Sequence, residues 1–143
     1  MFVKEIMTTD VKTIRPEDSV RLLAETMIKN SIGALVVVEG SGAVVGIATE
    51  RDIIEDIIIS GKNPEEVKVQ DIMTKNIIAV NPDATLEEAA EIMVKHSIKK
   101  LPIIDKGRLV GIVTATDLIA YENKLVEKIS ALIMSSPLKN IGG

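Results

Sequence analysis

The sequence predicts a mixed α/β (α+β) fold in which one β-α-β-β-α unit is used twice in tandem. Three observations lead there. First, residues recur at a fixed offset of 66: Ile6, Met7 and Thr8 return as Ile72, Met73 and Thr74, Pro16 as Pro82, and Met27 as Met93. Second, each copy has one stretch whose apolar residues fall at helical spacing. Third, each copy has two short, nearly continuous apolar runs separated by a glycine-containing loop, the pattern of a hairpin. Beyond that loop the offset falls to 65, and Val45, Gly46, Ile47, Thr49 and Asp52 return as Val110, Gly111, Ile112, Thr114 and Asp117. One residue fewer in the second loop accounts for the change.

The elements follow in order. Each copy opens with Ile-Met-Thr and a short extended piece, residues 11–14 and 77–80, just ahead of Pro16 and Pro82. A helix comes next. In the first copy Ser19 is its cap, and Val20, Leu23, Ala24 and Met27 form the apolar stripe. In the second, Thr85 and Glu88 have the spacing of a capping box, and Leu86, Ala89, Ala90 and Met93 repeat the stripe. The apolar runs 35–38 with 44–48, and 101–104 with 109–113, read as hairpin strands; unbroken Ile and Val predict burial on both faces. A second helix starts at Thr49 and at Thr114. The last one runs on through Leu118, Leu125, Ile129, Leu132 and Ile133 to a stop at Ser135-Ser136-Pro137. Its apolar face covers either the chain's own core or a second copy. The expected domains are repeat 1 (1–62), repeat 2 (67–125), and a helical extension with a frayed tail (126–143).

Bulk properties narrow the function classes. Hydrophobic residues make up 46% of the 143, enough for a core, and that core is aliphatic because aromatics make up 1%. So few aromatics leave no base-stacking platform for single-stranded nucleic acid, and a net charge of −4 gives no global attraction to nucleic acid or anionic membrane. The absence of cysteine excludes disulfides and thiolate chemistry, and one histidine, His96, builds no multi-histidine metal site. No nucleophile, base and orienting group assemble from the motifs, so no catalytic residues are assigned. The start of the chain has no signal-peptide pattern and the apolar runs are far shorter than the roughly 20 residues that cross a bilayer. A soluble cytoplasmic protein is expected.

The chemistry-bearing feature is the repeated strand-to-helix corner, Gly46 to Asp52 and Gly111 to Asp117. A carboxylate can accept hydrogen bonds from both hydroxyls of a ribose, at about 1.5–3 kcal/mol each. A helix N-terminus offers N–H groups to a phosphate. Thr49 with Asp52, and Thr114 with Asp117, suit those roles. The same Thr-x-x-Asp pattern is also an ordinary helix cap, and duplication copies a cap as readily as a site. His96 reads as a helix-end residue, Arg51 as an interface or phosphate contact, and the helix-stripe methionines as core.

The duplicated unit, with Ile-Met-Thr at each start, Gly-h-h-Thr-x-x-Asp at each second helix (h, hydrophobic), and Lys99-Lys100-Leu101-Pro102-Ile103-Ile104-Asp105 in the second copy, resembles the CBS domain, named after cystathionine β-synthase. The resemblance covers roughly residues 1 to 120. It implies a tandem pair packed through its sheets about a pseudo-twofold axis, with two clefts between the copies and a tendency to form a flat, disc-like homodimer. It implies regulatory binding of AMP, ADP, ATP or S-adenosylmethionine, as in energy sensing, and action on a partner protein, without catalysis. The alternative is a structural dimerisation module with no ligand.

By that resemblance, basic residues just ahead of the strand 101–104 serve the ligand held by the other repeat's aspartate. Thr49, Asp52, Lys99 and Lys100 then make the better-equipped cleft for a phosphorylated ligand. The other cleft, with Thr114, Asp117, Gly33 and Ala34, lacks that charge. Backbone contacts to adenine are implied at Thr13-Ile14 or Ala79-Val80, and at Ala34-Leu35 or Lys100-Leu101; core packing is the competing role for each of these.

Overall fold

The structure is a computed structural model and describes residues 1–135. Repeat 1 comprises β1 (Thr13–Ile14), α1 (Val20–Asn30), β2 (Ala34–Val38), β3 (Val44–Thr49) and α2 (Glu50–Ile53), the last continuing in wider π geometry over Ile54–Ile59. Repeat 2 comprises α3 (Leu86–His96), β4 (Lys100–Asp105), β5 (Arg108–Thr114) and α4 (Ala115–Ser135). The expected stop at Pro137 and the tail lie outside the described residues. Ser19 caps α1 by accepting the Leu22 N–H at 3.1 Å, and Thr85 caps α3 by accepting that of Glu88 at 3.1 Å. The expected capping box at α3 is altered: the Glu88 carboxylate takes the Thr85 hydroxyl at 3.2 Å rather than the backbone N–H. The start of α3 is held instead by the chain's first residues, with Val3 N–H on Ala84 C=O and Leu86 N–H on Met1 C=O.

Repeat 1 has the sheet order β1-β2-β3, with β1 parallel and β3 antiparallel to β2. In repeat 2 the expected strand 77–80 shrinks to one parallel bridge, Val80 to Ile103, beside the β4–β5 hairpin. Pro102 explains the difference. Val80 donates to Pro102 C=O at 3.1 Å and accepts from Ile104 at 2.9 Å. Extending that ladder toward Ile78 requires an N–H from residue 102, which proline lacks. Repeat 1 has Val36 at the matching place, and its ladder reaches Thr13. The second hairpin turns through Lys106 and Gly107 at φ 52° and 81°, the positive pair of a type I′ turn.

The cores show an exchange. Val69, Ile72 and Met73, which open repeat 2, pack with Leu23, Leu35 and Ala48 of repeat 1. Val3, Ile6 and Met7, which open repeat 1, pack with Ala89, Leu101 and Val113 of repeat 2. Burial of β2 on both faces bears out the apolar run: Leu35, Val36 and Val37 are all buried.

The hydrogen bonds of the exchange come in equivalent pairs: Val69 N–H to Asp18 C=O matches Val3 N–H to Ala84 C=O, and Gln70 to Pro16 matches Lys4 to Pro82. Ala43 and Arg108, equivalent by the offset of 65, bridge each other directly. A pseudo-twofold axis therefore passes between them, and the two sheets meet along it.

Candidate functional site

Each corner is built where a buried strand ends and a helix begins. Thr49 is extended at φ −120°, ψ 165°, and its hydroxyl oxygen accepts the Asp52 N–H at 3.2 Å. Asp52 Oδ2 accepts the Thr49 N–H at 2.9 Å and the Thr49 hydroxyl at 3.0 Å. At the second corner Asp117 Oδ2 accepts the Thr114 N–H at 2.9 Å, and Thr114 Oγ1 accepts the Asp117 N–H at 3.1 Å. Both corners are thus capping boxes, and both aspartates are half-buried. Every one of these carboxylate contacts falls on Oδ2. Among the described residues no hydrogen bond reaches Oδ1 of either aspartate, so capping leaves that oxygen for another donor.

The helix ends have less to offer than the sequence leads one to expect. A helix start has four N–H groups without intrahelical partners. At the first corner the aspartate holds that of Thr49, Gly33 C=O holds that of Glu50 at 2.9 Å, and the threonine holds that of Asp52. Only the Arg51 N–H has no partner among the described residues. At the second corner Lys99 C=O accepts the Ala115 N–H at 2.8 Å, which leaves the Thr116 N–H. Each corner therefore presents one N–H, one carboxylate oxygen and a threonine.

The flanking residues differ between corners. The strand register sets Ala34 opposite Thr49 and Lys100 opposite Thr114. Lys99 and Lys100 are exposed, and no ion pair or hydrogen bond engages either ammonium among the described residues. Their backbone ties thus run to the corner of their own repeat, and no bond joins them to Asp52. Gly33 lies under the Glu50 carboxylate, with 2.9 Å between Oε1 and the place of a Cβ. An acid therefore flanks the first corner and two bases flank the second.

Thr13 is exposed and Ala79 half-buried, whereas Ile14, Leu35, Val80 and Leu101 bury their side chains in the two cores. Only the backbone of those four remains for a ligand. Arg51 Nε reaches Glu55 at 2.6 Å, and its hydrogen bond and charge raise the guanidinium pKa further above its ordinary value. His96 is exposed at the end of α3. No group of three or more acidic or histidine side chains placed to hold a metal occurs among the described residues. Two concavities lie elsewhere, between α1 and α2 and between α3 and α4.

One constraint at the corners was missed in the sequence. A Cβ on Gly46 would sit 2.6 Å from Met73 Sδ, and one on Gly111 would sit 2.5 Å from Met7 Sδ. The glycine of each corner and the Ile-Met-Thr of the opposite repeat are one packing unit, and their joint recurrence was the available signal.

The model of the CBS domain matches this chain twice, over residues 3–59 and 69–124. The chain belongs to the CBS-domain family. Among its relatives, an uncharacterized protein of Methanopyrus kandleri is 39% identical over 128 residues, which cover 89% of this chain and 65% of that one. The CBS domain-containing protein YhcV of Bacillus subtilis is 37% identical over 116 residues, 81% of each. Relatives named as inosine-5'-monophosphate dehydrogenase are matched over only 22% and 23% of their length, so the CBS pair is the part they share with this chain. The crystal structure of CBSX2 in complex with AMP superposes with a TM-score of 0.76 at 23% identity, covering 87% of this chain and 97% of that one. The architecture is thus that of a tandem CBS pair. No helix among the described residues is long and apolar enough to cross a membrane.

Proposed function

We propose that this CBS pair is a regulatory module that binds an adenosine ligand (AMP, ADP, ATP or S-adenosylmethionine) in the clefts between its repeats. It acts in the cytoplasm as a homodimer, has no catalytic activity of its own, and is read by a partner protein. The observation that carries the reading is the geometry of the two corners. Asp52 and Asp117 cap their helices through Oδ2 alone, and each Oδ1 is left for a ribose hydroxyl next to an unpartnered N–H. The AMP held by CBSX2, a protein of the same architecture, supports the choice of ligand class.

In the preferred cleft Asp52 takes the ribose, Thr49 and the lysines of the opposite repeat take the phosphate, and the backbone at Thr13-Ile14 flanks the adenine. The second cleft uses Thr114 and Asp117 with Gly33 and Ala34, and with the backbone at Ala79-Val80. One observation favours a second assignment: Lys100 stands opposite Thr114 in the β4–β5 ladder, so the lysines serve the Asp117 corner instead.

Calorimetric titration of the four ligands into the parent, Asp52→Ala and Asp117→Ala decides among these. Micromolar binding, roughly −8 kcal/mol, is expected for at least one ligand. A tenfold or larger loss in Asp52→Ala supports the preferred cleft, and the same loss confined to Asp117→Ala supports the second assignment. Absence of both heat and a melting shift with all four ligands leaves the ligand-free dimerisation module.

A further inference from the structure

The loop that joins β2 to β3 carries more than its turn requires. Gly42 sits at φ 94°, which calls for glycine, whereas Gly40 has no positive φ. What stands over Gly40 is a side chain. The place of its Cβ is 3.0 Å from a guanidinium nitrogen of Arg15, and that of Gly42 is 2.7 Å from one of Arg108. One arginine from each repeat therefore lies against the same tip, Gly40-Ser41-Gly42. The other arginines have acids: Arg21 pairs with Glu25 and Glu65, and Arg51 with Glu55. Among the described residues no carboxylate pairs with the Arg15 or Arg108 guanidinium. Glu39 precedes the tip and Asp105 stands opposite Arg108 in the β4–β5 ladder, yet both are exposed and engage neither. Asp18 takes only the backbone N–H of Arg15, at 3.0 Å.

The tip adds donors of its own. Glu39 C=O accepts the Gly42 N–H at 2.9 Å, and the Ser41 hydroxyl oxygen accepts that of Ala43 at 3.4 Å. The Gly40 and Ser41 N–H groups have no partner among the described residues, and both residues are exposed. Repeat 2 has no such set: Asn81 and Ala43 stand at the places equivalent to Arg15 and Arg108, and its tip is Lys106-Gly107. The Ala43–Arg108 bridge lies on the pseudo-twofold axis. Thr49 and Thr114 close β3 and β5 at their far ends, roughly 20 Å away along extended strands.

We propose that this tip is a binding site for a phosphate-class dianion, separate from the two corners and independent of the adenosine reading. Guanidinium N–H pairs match the oxygens of a phosphoryl group, and the Gly40 and Ser41 N–H groups complete the set. Two guanidiniums on one tip with no acid between them repel each other, and a dianion removes that repulsion. Arg15 belongs to repeat 1 and Arg108 to repeat 2, so the bound ion ties the repeats across their axis. The phosphoryl group comes either from inorganic phosphate or from a small phosphate monoester.

The test is a titration of the full chain with inorganic phosphate and, separately, with O-phosphoserine, at ionic strength matched by sodium chloride and followed by amide ¹H–¹⁵N spectra. The Gly40 and Ser41 resonances are expected to shift and saturate. Tighter saturation by phosphate identifies the free ion as occupant, and tighter saturation by O-phosphoserine identifies a monoester. Arg15→Gln and Arg108→Gln should each weaken binding by about tenfold or more, the loss of one charged hydrogen-bonding partner, while Arg21→Gln leaves it unchanged. Resonances far from the loop report whether each variant is still folded. Equal shifts with sodium chloride alone, or saturation that survives in the double arginine variant, overturn the site.

Discussion

The Met73 thioether lies across Gly46, so close that a Cβ there would be 2.6 Å from the sulfur and 2.9 Å from Thr74 C=O. Gly111 and Met7 repeat the arrangement. The backbone oxygen cannot move away, because Thr74 and Ile47 exchange two backbone hydrogen bonds at 2.8 and 2.9 Å. Gly46→Ala and Gly111→Ala should each destabilise the fold by about 1–3 kcal/mol through overpacking. Thermal unfolding measures the loss. Met73→Ala combined with Gly46→Ala should lose less than the sum of the two single changes, because the residues touch.

Asp52 and Asp117 have a structural role whether or not a ligand binds. Replacing either with alanine removes a capping carboxylate, and a stability loss of about 0.5–2 kcal/mol is expected in denaturant titrations. Unchanged affinity in a variant that is less stable but still folded would show that the carboxylate acts only through the fold. Affinity that falls much further than stability marks a direct contact.

Lys4 and Asp83 join the opening of repeat 1 to repeat 2 through an ion pair of 2.8 Å. The hydrogen bond from Asp83 and its charge raise the Lys4 pKa above 10.5. A base whose folded pKa is raised contributes its stability below the unfolded pKa and loses it as pH rises through the folded value. Lys4→Gln should therefore melt slightly below the parent at neutral pH, and the difference should vanish above the folded pKa. The pair is exposed, so added salt should shrink the difference as well.

Ser31 and Ser97 end α1 and α3 in the left-handed region, both at φ 53° and ψ 44°. A residue with a Cβ is disfavoured there by roughly 1–2 kcal/mol, and both serines are exposed. Ser31→Gly and Ser97→Gly should raise the melting temperature, singly and additively, since each lies at the far end of a different helix.

Much of this fold was legible in the sequence. The offset of 66, the stripe Val20-Leu23-Ala24-Met27 and the runs of β2 and β4 are one-dimensional signals, and each became the expected element. What was hidden depends on contacts between distant residues. Nothing local in residues 77–80 announces a missing strand; the cause is one absent N–H at Pro102, on the neighbouring strand. The Thr-x-x-Asp pairs were visible, but the remaining capacity of their helix ends was not, because Gly33 C=O and Lys99 C=O, just ahead of β2 and β4, each take one N–H. The π turn of Ile54–Ile59 left no mark that separates it from an ordinary helix.

The crossed openings bear on how such a chain arises and how it is taken apart. A lone repeat lacks the segment that fills its core and carries one that fits only another copy. Two identical single repeats, trading their first residues, would complete each other. In the present chain the trade takes place within one molecule, with residues 60–68 as the tether. Cleaving that tether should yield two fragments that remain associated, and either fragment expressed alone should fold only by pairing, with the other fragment or with a second copy of itself.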